Sequence, residues 1–542
     1  MRPLPERLSA SAVADKGITF ISGDDATHVP YDQLHAEALA MAAGLQDRGI
    51  GVGAHVALLG PTTRELVTAI RAIWMAGATL VVLPLPMRLA SIEAFVDQTR
   101  RRIQHADVSL VLVDADLAPF IEATPDDPSC VLLGDLAGNA DAFRPVDVGP
   151  ADLGVLQFTS GSTDDPKGVM LPHETIAANL DAITEAAELA DDDVMVSWLP
   201  LYHDMGLVGF CMLPMAEAVD LVLGAPQDFM SRPVRWMEWI SEHRGTVTAG
   251  PNFSWVLATR ALHRAEGLDL GSLRIGLNGA EPVDPVSVRA LVAAGERHGL
   301  RSGAVYPAFG MAEVVIGAAF PVPLSGLRTD PVDRVTLESE RYAAPGDPTD
   351  DRTRELAILG FPVPGMAFRI VDPDTGAILD NRAVGELEIS GSSVTPGYYK
   401  RPDANAELFH DGWLRTGDLA YLVEGELVVC GRIKDVIIVG GRNVFPEEIE
   451  RAVGGVDGVR AGNVIAFGVE GRSGKEELVV VAETREDEVI DLRTAVAQQV
   501  RSTVGVPPKD VVFVPPGTVP KTSSGKLQRA ACKQRYVADD LA

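Results

Sequence analysis

The stretch RELVTAIRAIWMAGATLVVLPLP, residues 64–86, changes from helical spacing of apolar residues to a run of β-branched ones. This change predicts a buried helix followed by a buried strand. A second helical pattern occurs in HETIAANLDAITEAAELA, where Ile176, Leu180 and Ile183 share one face of a predicted helix. Helices that alternate with buried strands in this way favour an α/β fold.

The pattern changes twice further along the chain. After about Gly360, short strands separated by Gly and Pro turns predict a small β-rich subdomain. From Val444 onward, alternating helical and strand patterns predict a compact α+β unit of roughly 100 residues, a usual domain size. We place the joint within GRIKDVIIVGGRN, which gives an N-terminal domain over residues 1–431 and a C-terminal domain over residues 432–542. The stretch 321–353 is rich in Pro, Asp and Arg and has little periodicity, which is typical of a long surface loop.

The acidic composition argues against several classes of protein. The 542 residues include 76 acidic side chains against 47 Lys and Arg, a formal net charge of −29. Phosphate backbones require a positive face, so we expect no nucleic-acid partner. An acidic body also disfavours stable binding to anionic membranes. A chain of this length is expected to divide into several domains or subdomains.

Cysteine spacing and hydropathy indicate a compartment. The 4 cysteines are far apart and form no CxxC pair, which argues against disulfides and structural zinc. The first residues have no apolar core that could act as a secretory signal. The longest apolar run, residues 72–87, is shorter than the ~20 residues that span a bilayer. We therefore expect a cytoplasmic protein with no stable membrane insertion.

One loop is unusually rich in small hydrogen-bonding groups. In LQFTSGSTDDPKGVMLPH, residues 156–173, a strand-like run leads into a turn with four hydroxyls, two glycines and one lysine. Hydroxyls, backbone N–H groups and a compact ammonium suit polyphosphate, and open α/β sheets bind ligands at strand ends. It is not a Walker A loop, because no glycine–lysine–hydroxyl triplet opens a following helix. Taken alone, the loop is equally consistent with a polar surface turn.

Four further motifs accompany this loop. They are FGMAE (309–313), WLRTGDL (413–419), GRIKD (431–435) and PKTSSGKLQR (520–529). Together, and in this order, the five motifs resemble the adenylate-forming superfamily of acyl-CoA synthetases, luciferases and peptide-synthetase adenylation domains. The resemblance implies a large N-terminal domain of two α/β subdomains and a small β-rich subdomain, followed by a small mobile C-terminal α+β domain.

Other segments resemble the fatty acyl-AMP ligase branch of this superfamily. They are VSWLPLYHDMGLVG (196–209), FMSRPVRWMEWISEHRGTVTAGPNFSW (229–255), NGAEPV (278–283) and GRNVFPEEIE (441–450). The branch is marked by an insertion after the GMAE motif, and residues 314–359 form a long interval here. The same interval is also consistent with a long loop.

The implied reaction joins a fatty acid to ATP. The ionised carboxylate attacks the α-phosphorus, pyrophosphate leaves, and the acyl-adenylate passes to an acyl-carrier protein or polyketide-type synthase. No general base is required, so catalysis consists mainly of charge neutralisation and positioning. Two alternatives remain: a fatty acyl-CoA synthetase, which the pair Gly440 and Gly441 allows, and a non-catalytic protein that binds nucleotide or acyl groups.

The resemblance also implies residue roles. Catalysis is assigned to Lys526, His203 and Glu313, the bound Mg²⁺ to Glu313 and Thr163, and a hinge between two half-reactions to Asp435. ATP and AMP binding is assigned to Thr159, Ser160, Gly161, Ser162, Thr163, Lys167, Gly279, Ala280, Glu281, Phe309, Gly310, Met311, Ala312, Asp418 and Arg432.

Each assignment has a simpler alternative. Asp418 could cap a turn, Glu313 could begin a helix, and His203 could be a satisfied core histidine. The sequence also departs from the superfamily pattern, because Asp164 and Asp165 add negative charge beside the expected phosphates. These departures affect the details of the loop more than the family resemblance.

Overall fold

The structure is a computed structural model. It describes residues 2–85, 92–121, 127–136, 138–159, 167–350, 352–439, 442–471, 475–522 and 525–541. Four residues of the predicted phosphate loop, residues 160–163, lie outside this set, as does the Gly440–Gly441 pair.

The helices alternate with strands through most of the chain. They are α1 (Leu4–Ala10), α2 (Tyr31–Asp47), α3 (Arg64–Met75), α4 (Ile92–His105), α5 (His173–Ala186), α6 (Leu213–Glu217), α7 (Pro226–Ser231), α8 (Val234–Glu242), α9 (Asn252–Leu262), α10 (Pro285–Glu296), α11 (Arg334–Glu340), α12 (Pro402–Leu408), α13 (Pro446–Gly454), α14 (Ile490–Val504) and α15 (Arg529–Val537).

The strands form several sheets. They are β1 (Gly17–Ser22), β2 (Asp25–Pro30), β3 (His55–Leu59), β4 (Thr79–Val82), β5 (Val108–Val113), β6 (Ser129–Leu132), β7 (Leu153–Phe158), β8 (Gly168–Pro172), β9 (Val194–Ser197), β10 (Asp220–Leu223), β11 (Val247–Gly250), β12 (Ile275–Asn278), β13 (Val305–Pro307), β14 (Phe309–Gly310), β15 (Gly317–Phe320), β16 (Thr329–Asp333), β17 (Thr353–Ala357), β18 (Phe361–Pro362), β19 (Met366–Val371), β20 (Gly385–Gly391), β21 (Phe409–His410), β22 (Trp413–Val423), β23 (Glu426–Arg432), β24 (Ile437–Val439), β25 (Arg442–Val444), β26 (Val459–Glu470), β27 (Glu476–Thr484) and β28 (Asp510–Val514).

Two mostly parallel sheets build the N-terminal domain. One has the order β13-β12-β11-β9-β10-β1-β2 and the other β6-β5-β3-β4-β7-β8, and only β2 and β8 run antiparallel to their neighbours. The predicted helix and strand in residues 64–86 are confirmed as α3 and β4. Every α3 residue from Leu66 to Met75 is buried, and Trp74 Nε1 donates to the Gly154 carbonyl at 3.0 Å. The predicted α/β class is confirmed.

The β-rich subdomain follows the two large sheets. Strands β19, β20, β22, β21 and β23 form an antiparallel sheet with Leu387 and Ile389 in its core. The stretch 321–353 is not a structureless loop, because it contains β16 and α11 and leads into β17, which pairs with β16. The expectation of a surface loop therefore holds only for parts of this interval.

The C-terminal domain has its own core. Strands β26, β27 and β28 form one sheet, and α13 and α14 pack on it through apolar residues that include Ile449, Val496 and Val500. The predicted domain boundary at residue 431 falls at the end of β23 and remains a prediction. All four cysteines are free thiols. Among the described residues, no helix combines the length and apolar character needed to cross a membrane.

Candidate active site

A cleft of about 2210 Å³ lies where strands of both large sheets end, and residues of both domains line it. Parallel strands place their carboxyl ends at one edge of a sheet, so the residues that follow β9, β11, β12 and β13 meet there. The described site residues that the sequence predicted all line this cleft: Thr159, Lys167, His203, Gly279, Ala280, Glu281, Phe309, Gly310, Met311, Ala312, Glu313, Asp418, Arg432, Asp435 and Lys526. Ser160, Gly161, Ser162 and Thr163 lie outside the described residues.

The hydroxyl-rich loop begins and ends on paired strands. Strand β7 delivers the chain to Thr159, and β8 receives it after Lys167. The Thr159 N–H donates to the Lys167 carbonyl at 3.1 Å, which closes the base of the loop. The Lys167 ammonium lies 5.0 Å from the centroid of the Tyr398 ring, a distance at which cation and ring attract each other. Lys167 therefore presents its charge at the cleft wall.

The Glu313 carboxylate is held by a tyrosine. The Tyr398 hydroxyl donates to Glu313 Oε1 at 2.7 Å, and both residues are buried. The Thr395 N–H donates to the Glu313 carbonyl at 2.8 Å. Burial and the nearby Glu313 charge raise the pKa of Tyr398 far above its ordinary value, so the phenol remains a donor. Sequence reasoning missed Tyr398 and Thr395, whose only signal is the turn-like run VTPGYY.

The backbone around Glu313 adopts a tight conformation. A Cβ on Gly310 would overlap the carbonyl oxygen of Ile316, so only glycine fits there. Val315 has φ 72° and ψ −62°, and the Ile316 N–H donates to the Val314 carbonyl at 2.9 Å. A β-branched residue in this γ-turn is strained, and such strain is often found at functional sites.

A second turn follows β12. Ala280 has φ 69°, in the left-handed region, and a Cβ on Gly279 would approach the Ala308 carbonyl oxygen to 3.2 Å. The backbone therefore turns sharply beside Phe309. Burial raises the pKa of Glu281, and the opposing charges of Lys526, Lys521 and Arg529 reduce that effect. The β12 turn thus faces basic groups of the C-terminal domain.

Asp418 and Arg432 form an ion pair across two strands. They are direct register partners in β22 and β23, and Arg432 Nε donates to Asp418 Oδ1 at 3.0 Å. The Asp418 side chain is 7% exposed and that of Arg432 is 62% exposed. Burial raises the pKa of Asp418 despite the neighbouring guanidinium. The carboxylate is therefore a desolvated acceptor at the cleft wall, with an exposed basic group beside it.

His203 lies next to a half-buried carboxylate. His203 Nδ1 and Asp204 Oδ1 are 2.6 Å apart, and the Met205 N–H donates to Asp204 Oδ1 at 2.7 Å where a π-helix, Met205–Met212, begins. Burial would raise the pKa of Asp204, but His203 and Lys526 lower it to about 2. Asp204 therefore carries a negative charge close to Lys526. The motif VSWLPLYHDMGLVG contains Asp204, but the family resemblance implies no role for it.

Lys526 enters the cleft on a short hairpin of the C-terminal domain. The Thr522 N–H donates to the Lys526 carbonyl at 2.8 Å, and the Lys526 N–H donates to Thr522 Oγ1 at 3.1 Å. A Cβ on Gly525 would lie 3.4 Å from the Phe253 ring, so this hairpin packs directly on α9. The lysine thus faces the same cleft as Glu313 and His203.

A basic residue three positions beyond Lys526 anchors the predicted hinge. Arg529 donates to Asp435 Oδ2 at 2.5 Å and forms two bonds to Glu450, at 2.8 and 2.7 Å. Burial would lower the pKa of Arg529, but these carboxylates raise it well above its ordinary value. Arg529 therefore ties the segment at Asp435 to α13. Arg529 ends the motif PKTSSGKLQR, but the family resemblance implies no role for it.

Glu313 is the candidate metal-binding carboxylate of this cleft. Within the described part of the chain, no group of three or more His, Cys, Asp or Glu could hold a metal ion. Magnesium bound through one or two carboxylates and substrate phosphates does not need such a cluster. The buried Glu313 carboxylate, which lines the cleft with Lys167, fits that second mode.

Comparisons with known proteins identify the family of the chain. Residues 8–399 match the family of AMP-binding enzymes, and residues 441–533 match the AMP-binding enzyme C-terminal domain. A Mycobacterium tuberculosis protein named only as a ligase is 39% identical over 93% of this chain and 94% of its own length. A medium-chain-fatty-acid–[acyl-carrier-protein] ligase of Moorena producens is 30% identical over 97% of this chain and 93% of its own.

A solved structure has the same overall fold as this chain. A chain from a study of fatty acyl-adenylate ligases from E. coli and L. pneumophila has a TM-score of 0.92 and 31% identity, covering 99% of this chain and 98% of that one. This similarity confirms the predicted fold, with a large N-terminal and a smaller C-terminal domain, and the predicted resemblance to the fatty acyl-AMP ligase branch. The chain belongs to the family of AMP-binding enzymes.

Proposed function

We propose that the protein activates a fatty acid to its fatty acyl-adenylate at the expense of ATP, releases pyrophosphate, and transfers the acyl group to an acyl-carrier protein or carrier domain. The observation that carries this proposal is the meeting of Lys167, Glu313 and Asp418, from three distant segments, around one cleft. The names of the relatives, which refer to fatty acids, adenylates and an acyl-carrier protein, support it.

The first half-reaction requires charge neutralisation. The fatty carboxylate forms a bond to the α-phosphorus, and the bond from that phosphorus to the pyrophosphate oxygen breaks. Lys526 approaches the α-phosphate and the carboxylate as negative charge accumulates, and His203 lies beside the attacking group. Thr159 and Lys167 hold the β- and γ-phosphates, together with Ser160, Gly161, Ser162 and Thr163 of the same loop.

Other residues that line the cleft hold the nucleoside. The buried Asp418 carboxylate accepts hydrogen bonds from the ribose hydroxyls, and the exposed Arg432 head reaches toward ribose and phosphate. Phe309 stacks on adenine, and the turns at Gly279–Glu281 and Gly310–Ala312 border the base. Two oxygens of one carboxylate suit the two ribose hydroxyls, which explains why an acid at position 418 is needed.

Magnesium is the one metal that this chemistry implies. Glu313 would hold Mg²⁺, with Thr163 as a second oxygen ligand, and the bound ion would offset the charge of the phosphates. The Tyr398 hydroxyl occupies one Glu313 oxygen and leaves the other for this purpose. Glu313 is thereby oriented before any substrate binds.

In the second half-reaction the carrier thiol forms a bond to the acyl carbon, the bond from that carbon to the AMP oxygen breaks, and AMP leaves. This step uses the C-terminal domain. Asp435 is proposed as the hinge at which that domain rotates between adenylation and transfer. The Arg529–Asp435 ion pair, at 2.5 Å, ties this hinge to α13 in the arrangement that brings Lys526 into the cleft. A cytoplasmic location is consistent with four free thiols.

Acyl transfer to two acceptors tests the proposal. The adenylate is formed from a panel of fatty acids and then offered to CoA or to a phosphopantetheinylated carrier protein, with products identified by mass spectrometry. We expect thioester on the carrier and little acyl-CoA. Efficient acyl-CoA formation would instead identify a fatty acyl-CoA synthetase, and ATP binding without pyrophosphate exchange would indicate a non-catalytic protein.

A further inference from the structure

An apolar channel leads from the reaction centre along one face of the seven-stranded sheet. Ile275, Leu277 and Gly279 all line the cleft, and alternate residues of a strand face the same side. Gly209 and Phe210 of the π-helix line the same cleft. A Cβ on Gly209 would lie 3.1 Å from Ile316 Cδ1, so this glycine keeps the passage open.

The channel ends on a row of three apolar side chains. Val247 is the register partner of both Met195 and Ile275, so the three lie side by side across β9, β11 and β12. All three line the cleft and are 6% exposed or less. The residues two positions earlier, Asp193, Gly245 and Leu273, would continue the same strand faces toward the strand starts, and they do not line it. The row therefore forms the floor.

Beneath this floor lies a fully bonded polar cluster. Arg274 Nε donates to Asp193 Oδ1 at 2.7 Å, and the Thr246 hydroxyl donates to the same oxygen at 2.6 Å. Arg274 also donates to the carbonyls of Ala187 and Glu188, at 2.8 and 3.0 Å, at the end of α5. Asp193 is buried. Entry of a hydrocarbon would leave these groups unpaired and would therefore be costly.

The depth of the channel sets a length. Four residues separate Gly279 from Ile275, which corresponds to about 13 Å along a strand. An extended chain advances about 1.2 Å per bond, since three backbone bonds span at most about 3.6 Å. A straight acyl chain that starts beside Gly279 therefore meets the floor after about 11 bonds.

We propose that the Met195–Val247–Ile275 floor, backed by the Asp193–Arg274–Thr246 cluster, is a ruler that selects straight-chain fatty acids of about 10–12 carbons. This inference rests on the proposed function, because it describes the acyl end of that site. It goes further by naming a substrate class and the residues that determine it.

Two variants change the floor in opposite directions. Val247→Phe raises the floor into the channel, so activity with dodecanoate should fall more than about tenfold while octanoate remains a substrate, since the misfit affects only the longer chain. Met195→Ala deepens the channel and should increase activity with tetradecanoate relative to dodecanoate. Leu221→Ala is the matched control, because Leu221 is the register partner of Met195 on β10, equally buried, and does not line the cleft.

The assay is adenylate formation across saturated acids from hexanoate to octadecanoate, with melting temperature measured for every variant. The ruler predicts a cut-off that moves down in Val247→Phe, moves up in Met195→Ala and stays in place in Leu221→Ala. If Val247→Phe does not fold, Met195→Ala against its control decides. An unchanged cut-off in folded variants that still form adenylates overturns the ruler and leaves the proposed function intact. Failure of the unaltered protein to adenylate any fatty acid overturns both.

Discussion

Replacement of Tyr398 by Phe isolates the hydrogen bond that orients Glu313. The substitution removes one oxygen from a buried ring and leaves its packing and its contact with Lys167 in place. The Glu313 carboxylate, 8% exposed, then lacks the donor that lies 2.7 Å from Oε1. A buried carboxylate without this donor is free to turn away from the cleft.

The size of the effect follows from the charge of the acceptor. A hydrogen bond to a charged group contributes about 1.5–3 kcal/mol. Since about 1.4 kcal/mol corresponds to a factor of ten, loss of orientation should weaken the apparent Mg²⁺ affinity by about 10- to 150-fold. The free energy of unfolding of the N-terminal domain should fall by a similar amount, about 2 kcal/mol.

Tyr421→Phe is the matched control. The Tyr421 hydroxyl donates to Asp330 Oδ2 at 2.8 Å, both residues are buried, and neither lines the cleft. The assay is fatty-acid-dependent ATP–pyrophosphate exchange at varied Mg²⁺ concentration, with thermal unfolding in parallel. Both variants should lose stability, and only Tyr398→Phe should require more Mg²⁺. Equal Mg²⁺ dependence in the two variants would refute the role given to Glu313.

Three further predictions follow. Lys526→Ala should lower the rate of adenylate formation by about 100- to 1000-fold, because it removes an electrostatic group that stabilises the transition state. ATP binding, measured by calorimetry, should remain nearly unchanged. An equal loss of adenylate formation and ATP binding would show that the lysine serves binding. Gly310→Ala should abolish exchange, because its Cβ overlaps the Ile316 carbonyl; a fully active variant would exclude the tight turn. Burial raises the pKa of Glu338 from 4.5 to about 7 in the folded state. The folded state therefore binds the carboxyl proton more tightly than the unfolded chain does. The protein loses this contribution to stability as the pH rises from 4.5 to about 7. Glu338→Gln should therefore raise the melting temperature at pH 8 more than at pH 5, with exposed Glu340→Gln as control; equal shifts at both pH values would contradict the sign.

Much of the fold was predictable from local patterns. Periodicity identified α3, β4 and α5, because buried elements of an α/β fold carry strong apolar signals. The interval 321–353 was harder, since β16 and β17 are short and pair with each other across a distance along the chain. Pairing of that kind depends on tertiary contacts that no local pattern contains.

The sequence likewise predicted some residues of the site and missed others. Thr159, Lys167 and Lys526 belong to motifs with distinctive chemistry, so the resemblance found them. Tyr398 and Asp204 act on residues that are distant in sequence: the Tyr398 hydroxyl donates to Glu313, and the charge of Lys526 lowers the pKa of Asp204. The roles of these side chains depend on burial and on proximity to other groups, which are properties of the folded chain.

A structure of the protein with MgATP and dodecanoate bound tests the central claim most directly. The account predicts ribose hydroxyls on Asp418, the terminal phosphates beside Lys167, and the fatty carboxylate between His203 and Lys526. It also predicts the methyl end of the acid on Val247. Nucleotide found in a different cavity, or with its phosphates away from both Lys167 and Glu313, would contradict it.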